Sequence, residues 1–397
     1  MGNVTVPWPA NSCTFVAERS LSIYFSSIFA VIGKTQPVMR NPTGIVLLWI
    51  GIHIQFTLAS ILGQNKETTV CPNGVRQPVI IDTDVGSFMD DTAAILLAIQ
   101  HPCIDVKLIV TASDDTTARA KVTAKLLTLA GHDHIPIGIG VPSANITPHT
   151  LFSWAESFEL SLYSGGIYSD GVKIMAELIL SSTVDIIAIG PMTNFPQLLD
   201  RFPGVVNNTR IRAMAGSINK GYDNSSTPDA EYNVRLCPDC MSKLLGAGWE
   251  VSMTPLDTCR QANIPAFQME KLLAVSNRIS LAFSVSYLSV CTSDVNPYGR
   301  CDPKGSPFPL FDTVAVLLAL SNAKEFIIFK ELNISVTASG FTKVDDTSGT
   351  PTQVALSWKN SSSIELFEEY MTNILCESHN APVPKSSFSE SNHCPSR

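Results

Sequence analysis

From residue 78 the chain alternates short apolar runs with longer helical patterns, and this alternation limits the possible fold more than any other feature. Six runs have the length and β-branched content of buried strands: PVIIDTD (78–84), DVKLIVTAS (105–113), IPIGIG (135–140), VDIIAIG (184–190), RIRAMAG (210–216) and WEVSMTPLD (249–257). Helical patterns lie between them, including DDTAAILLAIQH (90–101), TARAKVTAKLLTLAG (117–131), GVKIMAELILSS (171–182) and NFPQLLDRF (194–202). This order predicts an α/β fold with an open, largely parallel (mixed) Rossmann-like sheet and helices on both faces.

The end of the chain follows a different pattern. Residues 337–360, TASGFTKVDDTSGTPTQVALSWKN, predict a terminal hairpin, and residues 363–375, SIELFEEYMTNIL, predict a closing helix. Residues 77–376 are therefore expected to form a single domain. The Ser- and Pro-containing residues 377–397 are expected to form a disordered tail.

The N-terminal region contains one long apolar run. Residues 44–62, GIVLLWIGIHIQFTLASIL, carry no charged side chain and are about as long as a membrane span. Such a run is either a signal anchor or the core of a cleavable signal peptide, in both cases within residues 39–64. We favour the signal peptide, because initiation at Met39 would place Arg40 in a positive n-region and leave residues 1–38 as an upstream extension. The protein is then expected to be secreted, or to be membrane-anchored by a single pass if the run is retained.

Two further features fit the secretory route. Sequons for N-glycosylation are one of them, and they begin at Asn145, Asn207, Asn224, Asn333 and Asn360. The ten cysteines are the other, because disulfides persist in oxidising compartments. Local pairs are Cys237 with Cys240 and Cys291 with Cys301, although spacing alone does not fix the pairing.

Acidic residues concentrate at the end of the first predicted strand. The stretch IIDTDVGSFMDD, 80–91, holds Asp82 and Asp84 at the strand end and Asp90 and Asp91 at the start of the next helix. Helix capping explains one or two acids. Four in one small pocket raise one another's pKa unless a cation compensates them. Oxygen ligands with no nearby His or Cys suit Ca²⁺ or Mg²⁺, so the sequence predicts a divalent-cation site.

This stretch resembles the N-terminal aspartate motif of the inosine-uridine-type nucleoside hydrolases, D-x-D-x-G-x-D-D, with two extra residues between Gly86 and Asp90. Later segments resemble further motifs of that family in the same order: AIGPMTNFPQLL (188–199), RAMAGS (212–217) with DAEYNVRLCPDC (229–240), WEVSMTPLD (249–257) and LFDTVAVL (310–317). The resemblance covers roughly residues 77–330. It implies the nucleoside hydrolase fold for the catalytic domain.

Members of this family hydrolyse the N-glycosidic bond of ribonucleosides to ribose and a free base. The resemblance implies one Ca²⁺, held by the carboxylates of Asp84, Asp91 and Asp312 and by the backbone carbonyl of Thr193. Such an ion grips the ribose 2′ and 3′ hydroxyls and polarises a water molecule. Asp84 is the implied general base, which accepts the proton of that water.

The same resemblance implies the substrate contacts. Asp90 would accept a hydrogen bond from the ribose diol, and Asn233 and Glu231 would bind the 3′ and 5′ hydroxyls. These acids would also stabilise the positive charge that develops on the sugar as the base departs. Asn224 takes the place of a 5′-hydroxyl-binding asparagine but also begins a sequon, and a glycan there would obstruct the pocket. Asp82 is expected behind the site, where it would orient the loop.

Two positions depart from the family pattern. Well-known purine-cleaving and mixed-specificity members carry a histidine before the late aspartate that helps to protonate the leaving base, and here that residue is Phe311. Base specificity and the leaving-group acid are therefore open, with Phe311 as a candidate residue of the base pocket. Where many members carry A-G-N, this chain has TASDDTTARAK (111–121), so Asp115, or its neighbour Asp114, is expected to fill that wall of the site.

Other functions remain open on the residues alone. A D-x-D at the end of a first strand, with Mg²⁺, is also the signature of haloacid-dehalogenase-like phosphatases, although the pair Asp90 and Asp91 is not expected there. The missing histidine leaves room for a catalytically silent secreted homologue that binds nucleosides. A net charge of −8 and a pI near 5.4 exclude a nucleic-acid partner, which leaves a ribonucleoside as the expected one. The resemblance also implies a homodimer or homotetramer.

Overall fold

Ten strands form one sheet in the computed structural model of the protein, which describes residues 71, 74–143, 147–293 and 309–377. The strands are β1 (Gln77–Thr83), β2 (Ile104–Thr111), β3 (Ile137–Gly138), β4 (Ile167–Tyr168), β5 (Val184–Ala188), β6 (Thr209–Met214), β7 (Glu250–Thr254), β8 (Ile327–Val336), β9 (Thr342–Val344) and β10 (Thr350–Trp358). Their order across the sheet is β4-β3-β2-β1-β5-β6-β7-β10-β8-β9. This arrangement confirms the predicted α/β class.

The sheet is mostly parallel. All pairs from β4 across to β10 are parallel, and only β8 pairs antiparallel, with β10 and with β9. β1 lies between β2 and β5, so the chain builds the sheet outward from β1 in both directions. Ligands in open α/β sheets bind at such a reversal point, outside the carboxyl ends of the strands. Asp84 directly follows β1.

Helices cover both faces of the sheet. They are α1 (Met89–Gln100), α2 (Thr116–Ala130), α3 (Phe152–Ala155), α4 (Gly171–Ser181), α5 (Asn194–Arg201), α6 (Tyr232–Leu236), α7 (Pro238–Gly246), α8 (Leu256–Cys259), α9 (Ala266–Ala274), α10 (Arg278–Thr292), α11 (Thr313–Leu318), α12 (Ala323–Phe326) and α13 (Ser361–Cys376). Short 3₁₀ helices span Leu160–Leu162, Pro203–Asn208 and Tyr222–Asn224.

Alternation along the strands divides the buried apolar side chains into two cores. Val79 and Ile81 of β1 pack into one core together with α1, α2, α10, α11 and α13. Ile80 points the other way, into a core shared with α4, α5 and α7. Successive side chains of a strand face opposite sides, so a run such as PVIIDTD is apolar throughout when both faces are covered.

The last third of the chain departs from the predicted pattern. The predicted terminal hairpin begins earlier than expected, with β8, and β10 inserts between β7 and β8. Helices α9 and α10 were not predicted. The run IPIGIG contributes only the two residues of β3.

Disulfides confirm one of the two proposed local pairs. Cys237 and Cys240 are bonded across the start of α7. A second bond joins Cys71 to Cys103 and was not predicted. Cys291 is also disulfide-bonded, and its proposed partner Cys301 lies outside the described residues.

Several predictions fall outside the part of the chain that the structure describes. They are the extension 1–38, the signal sequence or anchor within 39–64, the sequon at Asn145 and the tail after Glu377. Within the described ranges, no single helix has the length and apolarity to cross a membrane. Helices α9 and α10 meet those criteria only as a pair, which is bent by 118°.

Candidate active site

A cavity of about 320 Å³ opens at the carboxyl ends of β1, β5 and β6. Six acids line it, namely Asp84, Asp90, Asp91, Asp223, Glu231 and Asp312. Four aromatic side chains line it as well, namely Phe88, Tyr222, Tyr232 and Phe311. The cavity therefore combines a dense set of oxygen ligands with flat apolar surfaces.

Three of the acids converge on one point. Ligand oxygens of Asp90, Asp91 and Asp312 all lie within 4.8 Å of one another. Asp90 and Asp91 stand in the first turn of α1, and Asp312 is the N-cap of α11, so two helix N-termini meet here. Asp84 comes from the loop after β1 and lines the same cavity. The predicted acids are thus brought together, and Asp90, expected to contact substrate, belongs to the tightest trio.

Burial makes the charged form of these acids unfavourable. Burial, with the nearby charge of Asp84, raises the pKa of Asp90 to about 7. The pKa values of Asp91 and Asp312 are raised well above the usual range, first by burial and then by neighbouring carboxylates. Burial also raises the pKa of Glu231 to about 7. A cation among them would reverse this effect by favouring the charged carboxylates.

The donor set fits a hard cation. Oδ1 of Asp90 is shielded from solvent and has no hydrogen-bond partner among the described residues. A buried carboxylate oxygen without a partner costs free energy unless an ion or a water molecule satisfies it. Asp91 is fixed from behind, because its Oδ1 accepts a hydrogen bond from Thr83 Oγ1 at 2.5 Å. Asp84, Asp90, Asp91 and Asp312 present only oxygens, the ligands that Ca²⁺ and Mg²⁺ prefer.

The segment AEYN is joined to the strand ends by hydrogen bonds. Glu231 caps α6, and its carboxylate accepts the N–H groups of Asn233 at 2.8 Å and of Gly216, just after β6, at 3.0 Å. Asn233 donates its side-chain amide to the carbonyls of Ile189 at 3.1 Å and Met214 at 3.2 Å. Both side chains line the cavity, as the sequence predicts.

The aromatic residues form two edge-to-face pairs. Phe311 packs against Tyr222 with ring centroids 6.1 Å apart, and Phe88 packs against Tyr232 at 6.4 Å. The Tyr222 hydroxyl accepts the backbone N–H of Tyr232 at 2.9 Å. Only Phe311 was predicted to lie here. Tyr232 belongs to the quoted AEYN segment, but nothing in that segment distinguishes an inward ring from an exposed one.

Gly86 allows the turn that brings Asp84 and α1 to one cavity. Its φ is +131°, a conformation that side chains rarely adopt, and a Cβ there would lie 2.9 Å from the ring of Phe152. Gly190 is similarly confined, because a Cβ on it would lie 3.0 Å from the backbone nitrogen of Asp84. Gly86 of the aspartate motif and Gly190 of the segment AIGPMTNFPQLL therefore determine the course of the backbone beneath the acids.

The two adjacent acids after β2 point in different directions, and neither is among the residues that line the cavity. The Asp114 carboxylate accepts a hydrogen bond from Arg119 at 3.2 Å and lies 2.7 Å from Nε2 of His149. Asp115 instead caps α2, where its carboxylate accepts two backbone N–H groups of the first turn at 3.0 and 2.9 Å. Asp115 caps its own helix and Asp114 contacts Arg119, so the site wall expected from one of them stays a prediction. Arg119 and His149 were not predicted, because their roles depend on tertiary contacts.

The remaining predicted residues are not among those that line the cavity. Asp82 is buried behind it and accepts the side-chain amide of Asn194 at 2.6 Å. The Thr193 hydroxyl accepts the N–H of Ser113 at 3.1 Å. That the backbone carbonyl of Thr193 binds a metal ion stays a prediction. The side chain of Asn224 lies outside the described part of the chain, so its two proposed roles also stay predictions.

One protein family matches most of this chain. Residues 79–372 match the model of the inosine-uridine preferring nucleoside hydrolase family. The non-specific ribonucleoside hydrolase RihC of Klebsiella pneumoniae is 28% identical over 205 residues, which are 48% of this chain and 65% of that protein. The pyrimidine-specific ribonucleoside hydrolase RihA of Citrobacter koseri is 30% identical over 217 residues, 51% of this chain and 67% of that protein. The chain thus spans about two thirds of the length of these relatives.

Solved structures share the fold. An inosine-guanosine nucleoside hydrolase superposes with a TM-score of 0.62 at 19% identity, over 76% of this chain and 99% of that one. A purine-preferring ribonucleoside hydrolase from Gardnerella vaginalis superposes with a TM-score of 0.57 at 19% identity, over 75% of this chain and 99% of that one. Because the family model covers residues 79–372, well over half of the chain, this protein belongs to the inosine-uridine preferring nucleoside hydrolase family.

Proposed function

We propose that this protein hydrolyses the N-glycosidic bond of ribonucleosides to ribose and a free base. The observation that carries the proposal is the convergence of Asp90, Asp91 and Asp312 within 4.8 Å, in one cavity with Asp84. Such a set of acids suits a sugar that becomes positively charged in the transition state. RihC and RihA, both named as ribonucleoside hydrolases, support the same substrate class.

Ca²⁺ is the ion we propose for the site. Asp84, Asp91 and Asp312, with the carbonyl of Thr193, would hold it, and an oxygen-only set from separate loops suits the flexible coordination of Ca²⁺. When bound, this ion supplies Lewis-acid polarisation of a water molecule and of the ribose diol. Oδ1 of Asp90, which has no partner among the described residues, supports a cation at this point.

Asp84 is the general base in this proposal. Its carboxylate lies 3.7 Å from the guanidinium of Arg119, too far for a hydrogen bond, so its oxygens stay open to the cavity. The attacking water forms the new bond to C1′ and gives its proton to Asp84. The C1′–N bond breaks in the same step, and its electron pair leaves with the base nitrogen.

Asp90, Glu231 and Asn233 would orient the ribose. Both amide hydrogens of Asn233 are used by the carbonyls of Ile189 and Met214. Its side-chain oxygen is therefore left to accept a hydrogen bond from a sugar hydroxyl. Asp90 would accept one from the diol, and Glu231 one from the 5′ hydroxyl. The aromatic pairs provide flat surfaces against which a base can stack.

We also propose that the protein follows the secretory route. Disulfides Cys71–Cys103 and Cys237–Cys240 support it, because such bonds are rare in reducing compartments. Whether the apolar run 44–62 is cleaved or kept as an anchor stays open, and the homodimer or homotetramer implied by the family resemblance stays a prediction.

The test is release of ribose from a panel of purine and pyrimidine nucleosides, compared between the wild type and Asp84→Asn. We expect the wild type to release ribose and the variant to be slower by at least about 10³-fold, because it loses both a metal ligand and the base. Asp170→Asn is the matched control, since Asp170 caps α4 and pairs with Arg201 on the surface, and it should keep full activity. A wild type that binds Ca²⁺ but cleaves no nucleoside would instead indicate a silent nucleoside-binding protein.

A further inference from the structure

Arg119 of α2 is fully buried, and it is the largest fully buried side chain in the part of the chain that the structure describes. A buried guanidinium is costly unless its N–H groups find acceptors and a negative charge lies close by. The hydrogen-bond partners of Arg119 therefore indicate which part of the protein its buried charge stabilises. They all lie around the loop that carries Asp84.

The guanidinium joins the ends of two neighbouring strands. Nη1 donates to the backbone carbonyls of Asp84 and Val85, the second at 3.0 Å, just beyond the end of β1. Nε donates to the carbonyl of Ser113 at 3.1 Å, just beyond the end of β2. Nη2 donates to Asp114 at 3.2 Å. The Arg119 side chain thus joins the backbone just after β1 to the backbone just after β2.

A second connection reaches the same loop through His149. Its Nε2 lies 2.7 Å from the carboxylate of Asp114 and 3.2 Å from Nη2 of Arg119. Its Nδ1 lies 2.9 Å from the hydroxyl of Ser87. Arg119, Asp114 and His149 therefore form one hydrogen-bonded group, called the latch below, that holds the loop 84–87 at two places.

The latch holds the backbone of Asp84 but leaves its carboxylate open. The carbonyls of Asp84 and Val85 accept from Arg119, whereas the nearest Asp84 carboxylate oxygen stays 3.7 Å from Nη2. The positive charge therefore attracts the carboxylate from behind without occupying its oxygens. Asp84 keeps its lone pairs for the cavity while its main chain is fixed.

We propose that Arg119, through the latch, is a positioning residue that sets the direction of the Asp84 carboxylate for proton abstraction and metal binding. The inference rests on the proposed function, because it assumes that Asp84 is the general base. Only arginine fits the role, since its planar fork carries five N–H donors in fixed directions and lysine has one ammonium.

The test compares Arg119→Lys and Arg119→Met with the wild type. We expect kcat for nucleoside hydrolysis to fall by about 10²-fold, because a displacement of about 1 Å at a reacting group costs that much. KM should change by less than about threefold, since Asp90, Glu231 and Asn233 are outside the latch. Terbium, a luminescent probe of calcium sites, should bind the variants about tenfold more weakly, as is usual when a group behind a ligand is removed.

Arg212→Met is the matched control. Arg212 is also buried and donates to Ser252 at 2.7 Å, but it is not among the residues that line the cavity. Its removal should leave kcat and terbium affinity within about twofold of the wild type. Added guanidinium should restore part of the activity that Arg119→Ala loses and should leave the activity of Arg212→Ala unchanged, a result that a general loss of stability cannot produce.

Other outcomes would overturn the inference. Arg119 variants with wild-type kcat and terbium affinity would do so. A loss of kcat and terbium affinity in Arg212→Met as large as that in the Arg119 variants would do so too. If the Arg119 variants do not fold, Asp114→Asn keeps the shape of the latch and removes its negative charge, and an unchanged kcat there would overturn the inference too. If the wild type itself releases no ribose, the proposed function fails, and unchanged terbium affinity in the variants would then reject the latch separately.

Discussion

Phe311 and Tyr222 occupy the part of the cavity next to Asp312, where the family pattern expects a histidine. Phe311 offers no proton to a departing base. The Tyr222 hydroxyl oxygen accepts the N–H of Tyr232 at 2.9 Å, which leaves its own hydrogen free of any described acceptor. Burial raises the pKa of Tyr222 far above its usual range, so the hydroxyl stays protonated at neutral pH. Tyr222 is thus suited to donate a hydrogen bond to the leaving base.

Tyr222→Phe tests this role. The variant keeps the ring against Phe311 and removes only the hydroxyl, so we expect kcat for natural nucleosides to fall by about tenfold, the value of one neutral hydrogen bond. Hydrolysis of 4-nitrophenyl riboside should be unchanged, because nitrophenolate leaves without protonation. Tyr163→Phe removes a buried hydroxyl that donates to Ile135, outside the cavity, and should affect neither substrate. Equal losses on both substrates would contradict the role of Tyr222.

The site residues differ in how well the sequence predicts their place in the structure. Asp84 and Asp91 were predictable, because four acids around one glycine have no simple structural explanation. Asp114 was not distinguishable from Asp115, since a shift of one residue decides which of them caps α2 and which turns inward. Arg119 gave no signal, because an arginine in a helical pattern is normally solvated.

At the scale of elements, the turn from β1 to α1 decides whether the acids can meet. Gly86 has a positive φ and a Cβ on it would lie 2.9 Å from the Phe152 ring, so the turn disfavours any side chain here. Gly86→Ala should therefore lower the free energy of unfolding by more than about 1 kcal/mol and reduce activity as well. Urea denaturation measures the first effect and ribose release the second.

Gly246→Ala is the control for that substitution. Gly246 ends α7, and a Cβ there would meet nothing within 4 Å. Alanine should leave activity unchanged and stabilise the helix by about 0.5–1 kcal/mol. Equal stability of the Gly86 and Gly246 variants would refute the requirement for glycine in the β1–α1 turn.

Elements were predictable where local periodicity and burial agree. β1, α1, β2 and α2 follow their patterns within a few residues, because each is regular and the strands are buried on both faces. The position of β10 between β7 and β8 is a long-range pairing that no local pattern encodes. Turn residues in 337–349 suggested a hairpin, but they gave no information on which strand its second arm would join.

At the scale of the whole molecule, the buried acids link stability to pH and to metal. Burial first, together with nearby carboxylates, raises the pKa values of Asp82, Asp90 and Glu231 to about 7 in the metal-free protein. Between the ordinary carboxyl pKa of about 4 and this value, the native state binds more protons than the unfolded chain. The contribution of these groups to stability is therefore present at low pH and is lost as pH rises toward 7.

Calcium should act in the opposite direction. Its ligands must be deprotonated, so it binds more tightly as pH rises, and it stabilises the native state by mass action. We expect the increase in Tm on adding Ca²⁺ to the chelator-treated protein to be several degrees larger at pH 8 than at pH 5. Asp91→Asn, which removes a proposed ligand, should reduce that increase at both pH values. An increase that is independent of pH in the wild type would be inconsistent with a buried carboxylate site.

We propose that the acidic cluster holds a Ca²⁺ that nucleoside hydrolysis requires. The most direct measurement is a titration of Ca²⁺ into chelator-treated protein, with ribose release from inosine and uridine followed alongside calorimetric binding on the same preparation. We predict no release before the titration, one bound ion per chain, and activity that saturates with the same midpoint as binding. Ribose release that is unaffected by the chelator, or Ca²⁺ that binds without any release, would contradict the claim.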